Sequence, residues 1–379
     1  MPEHSRDKPM FEQRITISLS SLLFILLTVL GLVLLWQLRG LLVILMVAVV
    51  LAASISPLVG WAERFYIPRW ISVIVVYLTG IAVVMGAGLL IGPTVYEQIE
   101  SLIRQIPNYS EMIRQLVEDR LTRLSNTRPE LLSQFLDAKA VPGWIIRYSQ
   151  QLLLRSYGIT RGILSGLLSL VLALLLSSYM VADSKTLINS LVRLLPQPWE
   201  GRLASQIAPI SIRMGGYIRG RILVSAILGA ATTVGLSYLG LREYSLGLGA
   251  IAGFTNLIPF LGPILGAIPA LVVALSKGGW ILLWVFLLFV VIQNVETYVL
   301  DPLLVGSSVG VHPLYQLLAV LGGIQVLGIV GALIVPPWFA GVSVLIDNLY
   351  LRPKLIAERR AAIARSKQSN IPLPVGSES

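Results

Sequence analysis

The sequence predicts an all-α integral membrane protein, and three observations predict it. Of 379 residues, 55% are hydrophobic and only 13% are charged, whereas a soluble domain carries roughly a quarter charged residues. The missing charge is localised: residues 15–38, 40–62, 70–96, 162–182, 222–241, 244–276, 278–295 and 302–346 hold no Asp, Glu, Lys or Arg. Each stretch approaches or exceeds the ~20 residues that cross hydrocarbon as a helix. The apolar runs are also continuous, as in LLVILMVAVVLAA from Leu41, whereas the strands of a membrane barrel alternate over about ten residues. About eight hydrophobic helical segments follow from these stretches.

The first run exceeds a signal-peptide core and a second follows it closely, so a retained span is expected. With the N-terminus (1–14) in the cytoplasm, Arg6, Lys8 and Arg14 lie inside and Arg39 lies in the first outer turn. Arg64 and Arg69 are inside, as are Lys185, Arg193, Arg202, Arg213, Arg219 and Arg221. Arg242 is outside, and the basic tail (350–379) ends inside, agreeing with the positive-inside bias of short loops. A net charge of +10 therefore reads as membrane orientation rather than nucleic-acid binding. The expected location is a bacterial plasma membrane, with both termini cytoplasmic and the lipid bilayer as surroundings.

Three spans occupy 15–97. Residues 98–158 are polar and amphipathic, with Ile99, Leu102, Ile106, Tyr109, Ile113 and Leu116 at helical spacing. Pro107, Pro129 and Pro142 are expected to divide this region into short helices, packed on the outer membrane face or forming a cap. A fourth span covers 159–183. Within 184–215, Trp199, Leu203, Ile207, Ile210 and Met214 recur every three or four residues, the pattern of an interfacial helix on the cytoplasmic surface.

The core of 216–349 holds two Gly/Pro-interrupted segments, NLIPFLGPILGAIPAL from Asn256 and LGGIQVLGIVGALIVPP from Leu321. Each reads either as one kinked span or as a re-entrant hairpin. Their breaks centre on Pro259, Gly262, Pro263 and Pro269 in the first and Gly328, Gly331 and Pro336 in the second. Paired interruptions of this kind mark the solute sites of transporters built from repeats. Gly249/Gly253 and Gly262/Gly266 are small-residue pairs suited to close helix packing and to oligomers.

Between the two segments runs VVIQNVETYVLDP, which carries polar groups out of an apolar stretch. An ionised carboxylate in hydrocarbon must pair, meet water or take up a proton. On an α-helix Gln293, Glu296, Thr297 and Leu300 share one side, and Asn294 and Asp301 share the adjacent stripe. Either these groups line a cation, proton or polar-solute pathway, or the helix ends here and Glu296 and Asp301 are wet. Thr255 and Asn256 precede the first break, where freed carbonyls can meet a cation. His312 in GVHPL either titrates within a gate or caps the next helix, and Arg219 and Arg221 either hold an anionic group at the inner mouth or anchor the helix. The chain has no cysteine, no Gly-Lys phosphate loop and no HExxH, and no cofactor or enzymatic set is expected.

Four patches carry a resemblance: GGYIRGRILVSAILGAATTVGLSYLGL from Gly215, NLIPFLGPILGAIPAL from Asn256, QNVETYVLDPLLVGSSVGVHPL from Gln293 and GGIQVLGIVGALIVPP from Gly322, closed by DNLYLRPKL from Asp347. They resemble the autoinducer-2 exporter family of bacterial permease-like proteins, specifically over about 200–355 and by layout elsewhere. The resemblance places Gln293, Glu296, Pro302, Gly306, His312 and Pro313 on the family's motif, and Pro259, Gly262, Pro263 and Pro269 on its proline-glycine break. The stretch before His312 lacks the lysine often found there. The resemblance implies a secondary transporter without a nucleotide-binding subunit, exporting a small polar solute or signalling molecule, with Glu296 taking the coupling proton or cation. Two other readings stay open: a sodium or lithium/proton antiporter, and a membrane scaffold without flux.

Overall fold

The computed structural model describes residues 19–125, 156–306 and 313–369. Within these the chain is 91% helical, with no strand, which is the all-α membrane class. Pro129, Pro142 and His312 lie outside the described residues, as does the end of the tail.

Two compact units are present, residues 1–45 and 46–379. The first holds α1 (Leu19–Gln37) and the opening turns of α2 (Arg39–Glu63). Only Leu38 separates them, and helical bonds bridge it: Leu38 N–H donates to the Leu34 carbonyl at 2.9 Å and Leu42 N–H to the Leu38 carbonyl at 3.0 Å. The outer turn expected at Arg39 is therefore no loop.

The second unit continues with α3 (Arg69–Ser125), α4 (Ser156–Ala182), α5 (Ser184–Val192), α6 (Trp199–Tyr238), α7 (Ser245–Thr255), α8 (Leu261–Lys277) and α9 (Gly279–Val295). A π-helical segment, Glu296–Gly306, extends α9; α10 (Pro313–Ile346), a short π-helical segment Asp347–Leu351 and α11 (Arg352–Ser369) follow. Among the described residues, five helices are long and apolar enough to cross a membrane, or six if α4 and α5, bent by 83°, count as one span. Among the described residues the apolar stretches of α1, α7 and α8 are shorter, so the structure supports five or six spans there and not a count of eight.

Both interrupted segments fold back on themselves. α7 and α8 are 11 and 17 residues long, about 17 and 26 Å. They pack antiparallel: Gly262 sits against Thr255 and Asn256, and a Cβ on Gly266 would lie 2.8 Å from the Cα of Ala252. Leu248 and Ala270 share a core cluster further along the same register. In α10 the chain breaks at Gly328, whose φ of 65° and ψ of −150° suit only glycine. A Cβ on Gly323 would lie 2.5 Å from the Gly331 carbonyl oxygen, although residues eight apart on one helix stand about 12 Å apart. The chain therefore reverses between them. Pro269 and Pro336, expected as hinges, lie inside helical backbone instead; the breaks are at 256–260 and at Gly328.

Two further expectations are corrected. α3 runs unbroken through Pro107 for 57 residues. Its distal part has tertiary partners: Leu102 and Tyr109 pack with Leu241, Tyr244 and Leu248. Gln98 Oε1 accepts the Gly247 N–H at 2.6 Å, satisfying a donor in the first turn of α7 that the helix itself leaves free. Gln105 Nε2 donates to the Tyr244 hydroxyl at 2.8 Å, so this arm holds the open end of the α7–α8 hairpin. The amphipathic stretch at 198–214 is likewise not a separate interfacial helix but the first part of the 40-residue α6. Its Met214 is buried with Val50, Ala53 and Ile334, and Arg213 bonds to Asp347 at 3.4 Å.

Candidate functional site

The helix α6 crosses the centre of this unit and is held by glycines at its contact points. A Cβ on Gly215 would collide with the Ala53 carbonyl of α2, and one on Gly220 with the Leu304 carbonyl of the π segment. Gly229 meets Gly253 of α7, where a Cβ would lie 3.2 Å from the facing Cα. Backbones thus approach closely on three sides, the packing that small residues permit in membranes.

That approach places Arg221 inside the protein. It is 3% exposed, and its Nη1 donates to Glu296 Oε1 at 2.9 Å. The same nitrogen lies 3.4 Å from Asp301 Oδ1, and Nη2 lies 3.4 Å from Asn256 Oδ1. Asn256 Nδ2 donates to Glu296 Oε1 at 3.2 Å, closing the network. Glu296 and Asn256 are 3% and 2% exposed, whereas the Asp301 side chain is 41% exposed. The reading of Glu296 as a wet helix end is thereby corrected. One guanidinium faces two carboxylates, so the cluster carries one excess negative charge when all three are ionised.

Local backbone chemistry explains the convergence. Glu296 and Asp301 stand about 140° apart on an α-helix, which is why the sequence places them on different stripes. The segment Glu296–Gly306 is π-helical, and its i→i+5 bonding sets residues five apart one above the other. Pro302 within it cannot donate to the ladder. Asn256 arrives from the other side as the residue ending α7, at the tip of the first hairpin. The carbonyl end of α7 is the negative pole of its dipole and suits the guanidinium.

The cluster lines a cavity of about 1010 Å³ bounded by α6, the hairpin tip, α8, α9 and the π segment, with Gln316 from α10. Gln293, Thr297, Pro259, Pro263, Pro302 and Gly306 also line it. Gln293 Nε2 donates to Thr297 Oγ1 at 3.3 Å on this wall. Asn294 does not join them: its amide bonds back to the Val290 carbonyl at 2.7 Å on an exposed face. Gly262 and Gly331 serve the hairpin packing, Gly262 against the backbone of Thr255 and Asn256 and Gly331 against Gly323.

The two arginines expected at the inner mouth have different places. Arg221 is the buried partner of Glu296. Arg219 donates to the Ser54 carbonyl at 2.8 Å and approaches the Ala53 carbonyl at 3.5 Å. Pro57, inside α2, lacks the N–H that would satisfy Ala53, so Arg219 covers a gap in that helix. His312 is outside the described residues, and of Pro313 only its place at the start of α10 is described. Sequence reasoning missed the pairing of Arg221. A usable signal was present: two arginines two residues apart point about 200° apart on a helix, so both cannot face the same aqueous mouth, and a buried one requires an acid.

Comparison with known proteins identifies the family. The AI-2E family transporter profile matches residues 22–351. The transport-protein candidate YrrI of Bacillus subtilis is 28% identical over 309 residues, 79% of this chain and 84% of its own length. YueF of the same organism, also a transport-protein candidate, is 24% identical over 315 residues, 82% of this chain and 84% of its own. The permease candidate PerM of Escherichia coli K12 is 29% identical over 294 residues, 74% of this chain and 80% of its own. With the profile spanning most of its length, the chain belongs to the AI-2E transporter family.

Proposed function

We propose that this protein is a gradient-driven secondary transporter of a bacterial plasma membrane, with both termini cytoplasmic, that exports a small solute bearing a polar group. The observation that carries the reading is the cluster of buried Arg221, Glu296 and Asn256 with the partly exposed Asp301, on the wall of a solute-sized cavity. Buried ionisable groups in membrane proteins mark ion and solute pathways. Asn256 sits on a hairpin tip, so a displacement of the α7–α8 hairpin breaks its bonds to Arg221 and Glu296 together. That links cavity access to the charge state of the cluster. Glu296 takes the coupling proton or monovalent cation, and the hairpins move around it in alternating access.

One observation favours a second reading, a sodium or lithium/proton antiporter with no organic substrate. The excess negative charge of the cluster suits a cation or proton by itself. Proteoliposomes loaded with a pH dye separate the two. Collapse of an imposed pH gradient on adding sodium or lithium alone supports antiport. A gradient that cations leave intact directs the search to organic solutes. Flux that persists unchanged in Glu296→Gln removes Glu296 from the coupling in either case.

A further inference from the structure

The cavity has a second wall that the polar cluster does not use. Ile264 and Ile268 on α8 and Phe286 on α9 line it and are 60%, 52% and 52% exposed, and Phe260 at the hairpin tip is 42% exposed. α9 and its π-helical extension are long and apolar enough to cross a membrane, and α8 is a shorter apolar helix. Exposed Ile and Phe on apolar helices of a membrane protein suit acyl chains better than water. Arg221, Glu296 and Asp301 line the same cavity. The cavity thus combines a charged floor with an exposed apolar rim.

Its size and charge narrow what fits. A volume of about 1010 Å³ lies at the upper end of the range that holds drug-sized organic ligands, and far exceeds what a bare monovalent cation needs. A wholly polar solute leaves the apolar wall without a partner, whereas an apolar body of several carbons covers it at roughly 25 cal/mol per Å². The floor carries the excess negative charge. Asp301 is its accessible carboxylate, with 41% of its side chain exposed against 4% for Glu296.

The geometry points to an amphipathic cation as the solute class: an ammonium-like head at Asp301 and an apolar body along α8 and α9, entering sideways from the bilayer. This inference rests on the transport reading above and specifies its substrate class.

The chain contains no cysteine, so Thr297→Cys provides a single thiol on the cavity wall. In proteoliposomes its rate of modification by a water-soluble thiosulfonate is measured with decylammonium, methylammonium or decanoate, below concentrations that release an entrapped dye. Decylammonium is expected to slow labelling at least tenfold where the other two slow it less than twofold, and Ile268→Trp on the rim is expected to weaken that protection. Equal protection by methylammonium overturns the apolar body. Equal protection by decanoate overturns the charge assignment. An unreactive thiol, or no protection by any probe, overturns the site. Absent protection with cation-driven flux intact removes the amphipathic class and leaves transport standing. Protection without cation-driven flux supports the class and counts against the antiport reading alone.

Discussion

Replacing both partners of the buried ion pair should do less harm to stability than replacing either one. In Arg221→Met, Glu296 keeps only the Asn256 amide at 3.2 Å, in a position 3% exposed. Removing one member of a buried pair costs about 3–5 kcal/mol, because the other charge is stranded. In Glu296→Leu, Arg221 retains Asp301 and Asn256, both at 3.4 Å. Asp301 is two-fifths exposed, and a solvated pair contributes about 1 kcal/mol or less, so this variant falls near the lower bound. The double variant strands no charge between these two positions and should be within about 1 kcal/mol of the parent. The implied coupling is then roughly 5–9 kcal/mol, well beyond the few tenths expected for independent sites. Equilibrium unfolding of the four proteins in mixed detergent micelles measures it. A double variant as unstable as the sum of the two singles would refute the pairing. The double variant should also be inactive, which separates the stability of the cluster from its use.

Gly220→Ala should destabilise by about 1–3 kcal/mol, because its methyl meets the rigid Leu304 carbonyl, while Gly235→Ala meets only the end of the Leu288 side chain and should cost less; thermal unfolding ranks the two. Arg219→Ala should cost about 1.5–3 kcal/mol by stripping a charged hydrogen bond from the carbonyls above Pro57, and adding Pro57→Ala, which restores the helical N–H, should recover part of it; an unfolding series lacking that recovery contradicts the account. Gly328→Ala should cost about 1–3 kcal/mol through backbone strain alone, since a Cβ there meets nothing within 4 Å; an unchanged unfolding midpoint would mean that the α10 reversal does not need this conformation.

The membrane class was fully legible in the charge-free stretches, and the two Gly/Pro segments announced either kinks or hairpins. Hairpin and kinked span differ only in tertiary contact, such as Gly266 on Ala252, which periodicity does not encode. Glu296 and Asn256 stood out as polar groups in apolar surroundings, and the structure brings them within 3.2 Å. Asp301 could not be placed beside Glu296, because the stripe assignment assumed 3.6 residues per turn and the backbone there is π-helical. Arg221 was read by the bulk statistics of basic residues in short loops, which describe orientation and not burial. Pro107 was read as a breaker, yet contacts such as those of Leu102 and Tyr109 with Tyr244 accompany an unbroken helix.

Proton movement in dye-loaded proteoliposomes, compared between the parent protein and Glu296→Gln at equal reconstitution, tests the coupling role of the cluster most directly. Glutamine keeps the size of the side chain and a hydrogen-bond acceptor for Arg221 and Asn256 but cannot exchange a proton. The account predicts cation- or solute-triggered proton flux in the parent and at least a tenfold lower rate in the variant. Equal flux in both proteins would contradict it.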